Sequence, residues 1–396
     1  MRYKHTRTVI VDAKRTPIGS LKGQLASVPA TTLGSIVIKN ILDTNKFDKN
    51  KVSQVIMGNV LSAGLGQSPA RQSLINAGLN NKTNSLTINK MCGSGLQSVM
   101  LSDYHIKINP TDIIIAGGME SMSNAPYLSM ETRKGAGLGH LRLIDSIILD
   151  GLWDVYNDMH MGSCAEICAK NKNFSREKQD SFAIESYKKA QRAQSLGLFN
   201  NEIVNVGIPN RKGILSKIKI DEEPDKVIFE KIPKLKPVFK KEGTITAANA
   251  SKINDGAAAL LLMNEIQASN LGLEPLAYIN NHTTSAHDPE WFTTAPTTAV
   301  SNLLQKENLS SEDIDLWEIN EAFSVVTMSL IEDFKIDPDK VNICGGAVSL
   351  GHPIGASGAR ILTTLIYNLK STNGKYGIAT LCIGGGEACA LLIEMV

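Results

Sequence analysis

The sequence predicts an α/β protein built from two related halves with an irregular segment inserted between them, and three observations point there. Apolar strand-like runs alternate with helical segments through both ends of the chain, a pattern that argues for mainly parallel sheets covered on both faces. Two stretches far apart echo one another: Ile88-Asn89-Lys90-Met91-Cys92-Gly93-Ser94-Gly95 mirrors Val348-Ser349-Leu350-Gly351-His352-Pro353-Ile354-Gly355, and Ile113-Ile114-Ile115-Ala116-Gly117-Gly118 mirrors Thr380-Leu381-Cys382-Ile383-Gly384-Gly385-Gly386. Between about Met122 and Glu242 this rhythm lapses.

In chain order, the first strand begins near Arg7-Thr8-Val9-Ile10-Val11. A second, Ser85-Leu86-Thr87-Ile88, runs into a turn of tiny residues and a helix from Ser94 to His105. A strand over Ile113–Gly118 closes the first half. The middle carries a helix from Ser175 to Leu196 and then a Lys- and Pro-rich passage from Glu222 to Pro237, read either as a loop domain over a site or as a solvated surface insertion. The second half ends with a helix from Gly358 to Leu369 and the glycine-terminated strand through Cys382.

At 396 residues and 42% hydrophobic content the chain can bury two or three packed units. Lys plus Arg number 41 against 39 Asp plus Glu, so the formal charge of +2 argues against nucleic-acid or membrane partners, and any anion site must be local. Six cysteines without paired spacing suit a reducing compartment. Few residues precede the first strand and no run of about 18 apolar residues occurs, so a cytoplasmic protein is expected; an organellar enzyme with its presequence removed would read identically.

Cys92 ends a strand and opens a helix, where unpaired N–H groups and the positive dipole end favour a thiolate, and Gly93 and Gly95 are read as letting a substrate approach the backbone. A lone cysteine is more often a small buried hydrophobe. Answering it are Asn342 to Arg360 around His352 and Leu381-Cys382-Ile383-Gly384-Gly385-Gly386, each a strand end bearing one reactive side chain among small residues; Asn320-Glu321-Ala322-Phe323 by itself reads as a turn. His352, between Gly351 and Pro353, is read as exposed to a cleft.

These four motifs, with Gly117-Gly118-Met119-Glu120-Ser121-Met122-Ser123 and Asn249-Ala250-Ser251-Lys252-Ile253-Asn254-Asp255-Gly256, closely resemble the thiolase family in family order, from Val9 almost to Val396. The resemblance implies the thiolase fold, layered α-β-α-β-α, with residues 1–121 and 250–272 forming the first half, 122–249 a loop domain over the coenzyme A (CoA) site, and 273–396 the second half. It implies condensation of two acetyl-CoA molecules to acetoacetyl-CoA plus CoA, and the reverse thiolysis, with CoA thioesters as substrates and no covalently bound cofactor. Cys92 would carry the acyl group, His352 would take its proton, Cys382 would deprotonate the second acetyl group, and thioester oxygens would be held by the N–H groups of Cys92 and Gly384 and by His352 with a water on Asn320.

The same resemblance places Leu152, His160, Met161, Ser251, Ala322 and Phe323 around pantetheine and Lys226 and Lys231 near the nucleotide. His160-Met161-Gly162 resembles the short-chain branch. Mitochondrial-type relatives imply a potassium ion held by Tyr187, which then also borders the CoA site, and by backbone carbonyls of Ala247, Ala248, Ala250 and Val348; simple packing of Tyr187 on an amphipathic helix accounts for it equally well. The family's habit implies a homo-oligomer, dimer or homotetramer. The chain departs from the pattern at Cys344, at Glu387-Ala388 and at Trp291-Phe292-Thr293-Thr294, the last read as shaping the acyl pocket. The runner-up reading is a broader-chain 3-ketoacyl-CoA thiolase of fatty-acid degradation. A non-catalytic acyl-CoA or lipid binder would have lost a catalytic residue, and a dinucleotide oxidoreductase would show Gly-x-Gly-x-x-Gly after its first strand, which is missing.

Overall fold

A computed structural model describes residues 7–209 and 215–396. The first half runs β1 (Thr8–Arg15), α1 (Ala30–Thr44), β2 (Val52–Gly58), α2 (Pro69–Asn76), β3 (Asn84–Ile88), α3 (Ser94–Ile108) and β4 (Ile113–Ser121). The chain then leaves the sheet for an insertion holding α4 (Met161–Asn171) and α5 (Arg176–Ser195), and returns as β5 (Asn254–Asn264). The second half repeats the plan: β6 (Ala277–Ala286), α6 (Ala295–Glu307), β7 (Leu316–Ile319), α7 (Ser324–Phe334), the short α8 (Ala347–Leu350), α9 (Ser357–Thr372), β8 (Tyr376–Ile383) and β9 (Glu387–Met395).

The strands form one sheet in the order β7-β8-β9-β6-β1-β5-β4-β2-β3, joined at its middle by β1 against β6. Each half therefore has the same internal order, and a parallel bridge from Val341 to Trp317 stands where the second half lacks its outer strand. The expected mainly parallel pairing is corrected: among the described strands of this sheet only β2 with β4, β2 with β3, and β7 with β8 run parallel, while β5 and β9 each pair antiparallel on both sides. Local connectivity explains this. The insertion brings the chain back as β5 beside β4, and β8 turns directly into β9 over Gly384-Gly385-Gly386, where Gly385 (φ 93°) and Gly386 (φ 85°) occupy the left-handed region that a hairpin this tight requires.

Strand alternation distributes the apolar runs between two faces. Ile114, Leu260, Leu262, Leu391 and Ile393 pack on α3 and α9, which form a central layer with Leu96, Val99, Leu362 and Leu365. Their neighbours Ile113, Ile115, Leu261 and Met263 face α1 and α2, while Ala390 and Leu392 face α6. The apolar residues of the inner strands thus enter one core or the other, which is why these strands read as continuous rather than alternating, whereas the edge strand β3 leaves Leu86 exposed.

The two central helices cross at glycines. A Cβ on Gly95 would lie 2.7 Å from the Ala359 nitrogen, and one on Gly358 would lie 2.3 Å from the Leu96 nitrogen. This corrects the reading of Gly95 as a substrate approach: its missing side chain admits α9. The crossing sets the N-termini of α3 and α9 side by side, and with them Cys92 and His352.

Candidate active site

The site lies at the C-terminal ends of the parallel strands, where α/β sheets present their loops to ligands. Met91, immediately before Cys92, has φ 47°, left-handed for a long side chain and a conformation costing on the order of 1–3 kcal/mol. A net of short-range bonds holds it: Met91 N–H donates to Asn89 Oδ1 at 2.9 Å, Lys90 N–H to Ser94 Oγ at 2.8 Å, and Ser94 Oγ to the Met91 carbonyl at 2.7 Å. The result is a sharp corner that raises Cys92 off the strand end. Nothing in the spacing of the sequence announced Met91's backbone.

Cys92 is half-buried. Burial pushes its thiol up to about 11, against the opposing pull of the Gly384 N–H and its own N–H. The expectation of a thiol depressed by the helix terminus is therefore corrected for the free protein: desolvation outweighs two backbone donors. Those same two N–H groups are the donors assigned to one thioester oxygen, and both converge on the sulfur's position. Gly384 itself sits between Met161 and Met91, 3.5 Å and 3.9 Å from where its Cβ would be. Between about pH 7 and 9 the thiolate fraction should rise about tenfold per pH unit, and the rate of Cys92 alkylation by iodoacetamide should rise with it. A plateau reached before pH 8, read by mass spectrometry of the alkylated peptide, would show that the donors win after all.

His352 is buried, not exposed to a cleft as its sequence setting suggested, because α9 and the loop before β5 close over it. Its backbone N–H donates to Asn254 Oδ1 at 2.9 Å and its Nδ1 lies 2.5 Å from Ser357 Oγ. Ser357 donates its proton to the Pro353 carbonyl at 2.9 Å, so Nδ1 carries the imidazole proton and Nε2 is left as an acceptor. Nε2 is buried without a partner among the described residues. Burial, reinforced by the positive charge of Arg360, pushes the imidazole down to about 3, so in the free protein the ring is neutral, with the Nε2 lone pair directed outward as an acceptor.

Cys382 is buried on β8, and burial together with a charge on the nearby Cys92 sulfur drives its thiol well upward. Asn320 follows β7; its backbone N–H donates to the Thr380 carbonyl at 3.0 Å, while both side-chain amide atoms are buried with no partner among the described residues. Two orphaned buried amide atoms and an orphaned imidazole nitrogen in one structure call for a ligand or water, since such groups are nearly always satisfied.

The residues assigned to the CoA arm fall on both flanks of the cysteines. Leu152 packs in the cluster holding Met91, Cys92 and Ile354, whereas Met161, Ala322 and Phe323 pack with Cys382. Phe292 joins that second cluster, edge-on to Phe323 at 6.2 Å. His160 caps α4 by accepting from Gly162 N–H at 3.0 Å and stacks on Phe239 at 4.6 Å. Ser251 N–H donates to the Ala322 carbonyl at 2.9 Å. Lys226 is held by Glu222 Oε1 and Ser20 Oγ, each at 2.6 Å, and Lys231 is exposed on the short helix Phe229–Lys234.

The residues assigned to potassium divide differently. Tyr187, Ala248, Ala250 and Val348 are buried and Ala247 is exposed. The Lys252 ammonium already donates to the Ala250 carbonyl at 3.0 Å and the Val348 carbonyl at 3.3 Å and lies 5.6 Å from the Tyr187 ring centre. A second cation about 4 Å from it would be repelled by about 4 kcal/mol at an effective dielectric of about 20. The residues present do not fit an added ion at those carbonyls. Sequence reasoning passed over Lys252, though it stands inside the quoted Asn249–Gly256 run.

The departures from the family pattern are accommodated quietly. Cys344 donates to Asn368 Oδ1 at 3.1 Å inside the core, and Ala388 is an ordinary strand residue opposite Cys382. Glu387 forms a two-oxygen pair with Lys90, 2.9 Å to each, joining the hairpin after Cys382 to the corner before Cys92.

The thiolase N-terminal domain model matches residues 8–266 and the thiolase C-terminal domain model matches residues 273–395. The chain is 51% identical over 387 residues to an acetyl-CoA acetyltransferase, mitochondrial, of Danio rerio, covering 98% of this chain and 91% of that protein. It is 46% identical over 393 residues to an acetyl-CoA acetyltransferase of Schizosaccharomyces pombe, covering 99% of this chain and all (100%) of that one. The crystal structure of Acat5 thiolase from Ascaris suum in complex with coenzyme A superposes with a TM-score of 0.93 at 43% identity, over 98% of this chain and 100% of that chain. With both domain models matched in order across nearly the whole described fold, this chain belongs to the thiolase family.

Proposed function

We propose that the protein is an acyltransferase that condenses two acetyl-CoA molecules to acetoacetyl-CoA and CoA and catalyses the reverse thiolysis. The observation that carries this is the meeting of two thiols, a neutral imidazole and a pair of backbone donors at one end of the sheet, in a chain about half identical to proteins named for that reaction. The mechanism follows from the geometry. Cys92 attacks the thioester carbonyl as its proton passes to His352 Nε2, an exchange that converts a thiol and a neutral ring into the reactive pair. The acetyl oxygen is received by the N–H groups of Cys92 and Gly384. CoA leaves as its thiolate and picks up the proton of the Cys382 thiol, so that Cys92 is acetylated and Cys382 is left as the base. The Cys382 thiolate removes a proton from the methyl group of a second acetyl-CoA, whose thioester oxygen is met by the orphaned Asn320 amide and the protonated His352 Nε2. The carbanion attacks the acetyl-Cys92 carbonyl, forming acetoacetyl-CoA and expelling the Cys92 sulfur, which recovers its proton from His352.

The pantetheine arm passes between Leu152 on one flank and Met161, Ala322 and Phe323 on the other, with His160 and Ser251 beside it, and Lys226 and Lys231 toward the nucleotide phosphates. Phe292 and Phe323 border the acyl end and favour a short chain. Purified protein should consume acetoacetyl-CoA only when free CoA is added, with kcat/KM falling at least about tenfold for a six-carbon 3-ketoacyl-CoA. Equal rates across chain lengths would transfer the assignment to a broad-range 3-ketoacyl-CoA thiolase.

A homo-oligomer is proposed on the apolar side chains displayed by the 127–156 segment, where Tyr127, Met130, Leu138 and Leu143 are each at least 64% exposed, more than a lone subunit ordinarily shows in one stretch. Light scattering distinguishes dimer from homotetramer. A cytoplasmic location is proposed on the six free thiols, which suit a reducing compartment; relatives named mitochondrial make cell fractionation the check.

A further inference from the structure

Three chain segments meet at the Lys252 side chain. The loop before β5 pairs with the Asn320–Phe323 segment through Ala250 and Ser251, and with the His352 segment through Ile253. Lys252 extends the stitching: its ammonium donates to the carbonyl of Ala250 in its own loop and to that of Val348 in α8, four residues before His352, and sits over the buried Tyr187 ring of α5. No carboxylate makes a close ion pair with it among the described residues, so its hydrogen-bonding partners here are two backbone oxygens and its other contact is a ring face, the donor set that would otherwise suit a hard monovalent ion.

We propose that Lys252 is the built-in cation of this site: its ammonium performs the positioning that family resemblance assigns to a bound potassium ion, so the enzyme works equally well whichever monovalent cation is in solution. Lys252 is a positioning residue, acting through the Ser251 loop on the CoA arm and through α8 on the His352 corner. The inference rests on the proposed CoA-dependent function, and the thermal readout below separates the two.

The experiment compares potassium chloride with sodium chloride at equal ionic strength, because a polyanionic substrate responds to any salt. Wild-type KM for acetoacetyl-CoA is expected to agree within about 1.5-fold between the two salts, whereas Lys252→Ala in sodium should raise KM about five- to tenfold with a smaller fall in kcat. Potassium should recover at least about threefold of that KM for Lys252→Ala, and nothing for Lys252→Met, whose stem fills the space without a charge. The melting temperature of Lys252→Ala should likewise rise in potassium relative to sodium, and this holds whether or not thiolysis is observed. A potassium-specific gain in the wild type overturns the proposal. So does an unchanged KM in Lys252→Ala, or an identical potassium response in the alanine and methionine variants. Should Lys252→Ala fail to fold, the wild-type comparison and Lys252→Met still decide the matter.

Discussion

Cys92→Ala is expected to abolish acyl transfer in both directions, with kcat reduced by at least about 10⁴-fold, since removing one member of a group that acts as a unit costs nearly the whole of its effect. The corner that carries Cys92 is held by Asn89, Ser94 and backbone bonds rather than by the thiol, so the fold should survive the change. Incubation with labelled acetyl-CoA should leave label on the wild-type peptide containing Cys92 and none on the variant. A covalent acetyl group found elsewhere and required for turnover would remove Cys92 from its role.

Cys382→Ala should separate the two half-reactions. Only carbon–carbon bond formation needs a base at the second acetyl group, so condensation should fall by about 10³-fold or more while acetylation of Cys92 stays within about tenfold of wild type. The substitution leaves a small gap among Met161, Ala322 and Phe323, costing on the order of 1–2 kcal/mol of stability, which calorimetry would register. Rapid-quench measurement of acetyl-enzyme against product formation distinguishes the outcomes. Equal loss of both steps in a folded variant would mean that the two sulfurs do not divide the work as proposed.

Much of the fold was legible because its repeat is written in residue type. The echo of Ile88–Gly95 in Val348–Gly355 corresponds to two helices, α3 and α9, that begin at the same end of the sheet and cross through Gly95 and Gly358. The parallel pairing was misread because continuous apolar strands signal burial on both faces, and burial on both faces does not specify direction; the insertion before β5 and the glycine hairpin after β8 do. The helix over Ser175–Leu196 emerged as Arg176–Ser195 with Ser175 as its cap, a boundary that its side-chain chemistry announces.

By itself, the sequence determined which residue types the protein has for its chemistry, in what order, and at what kind of corner each stands. Short-range signals of that kind survive without coordinates because a strand end, a tight turn and a helix start are local events. Only the tertiary structure decided the protonation state of those groups and what surrounds them. Burial outweighing two N–H donors holds the Cys92 thiol up, Ser357 selects the His352 tautomer from five residues away, and Lys252 reaches Val348, 96 positions along the chain, to take the place expected of an ion. Desolvation and hydrogen bonding depend on what the rest of the chain brings within a few ångströms, and that is settled by packing rather than by neighbours in sequence.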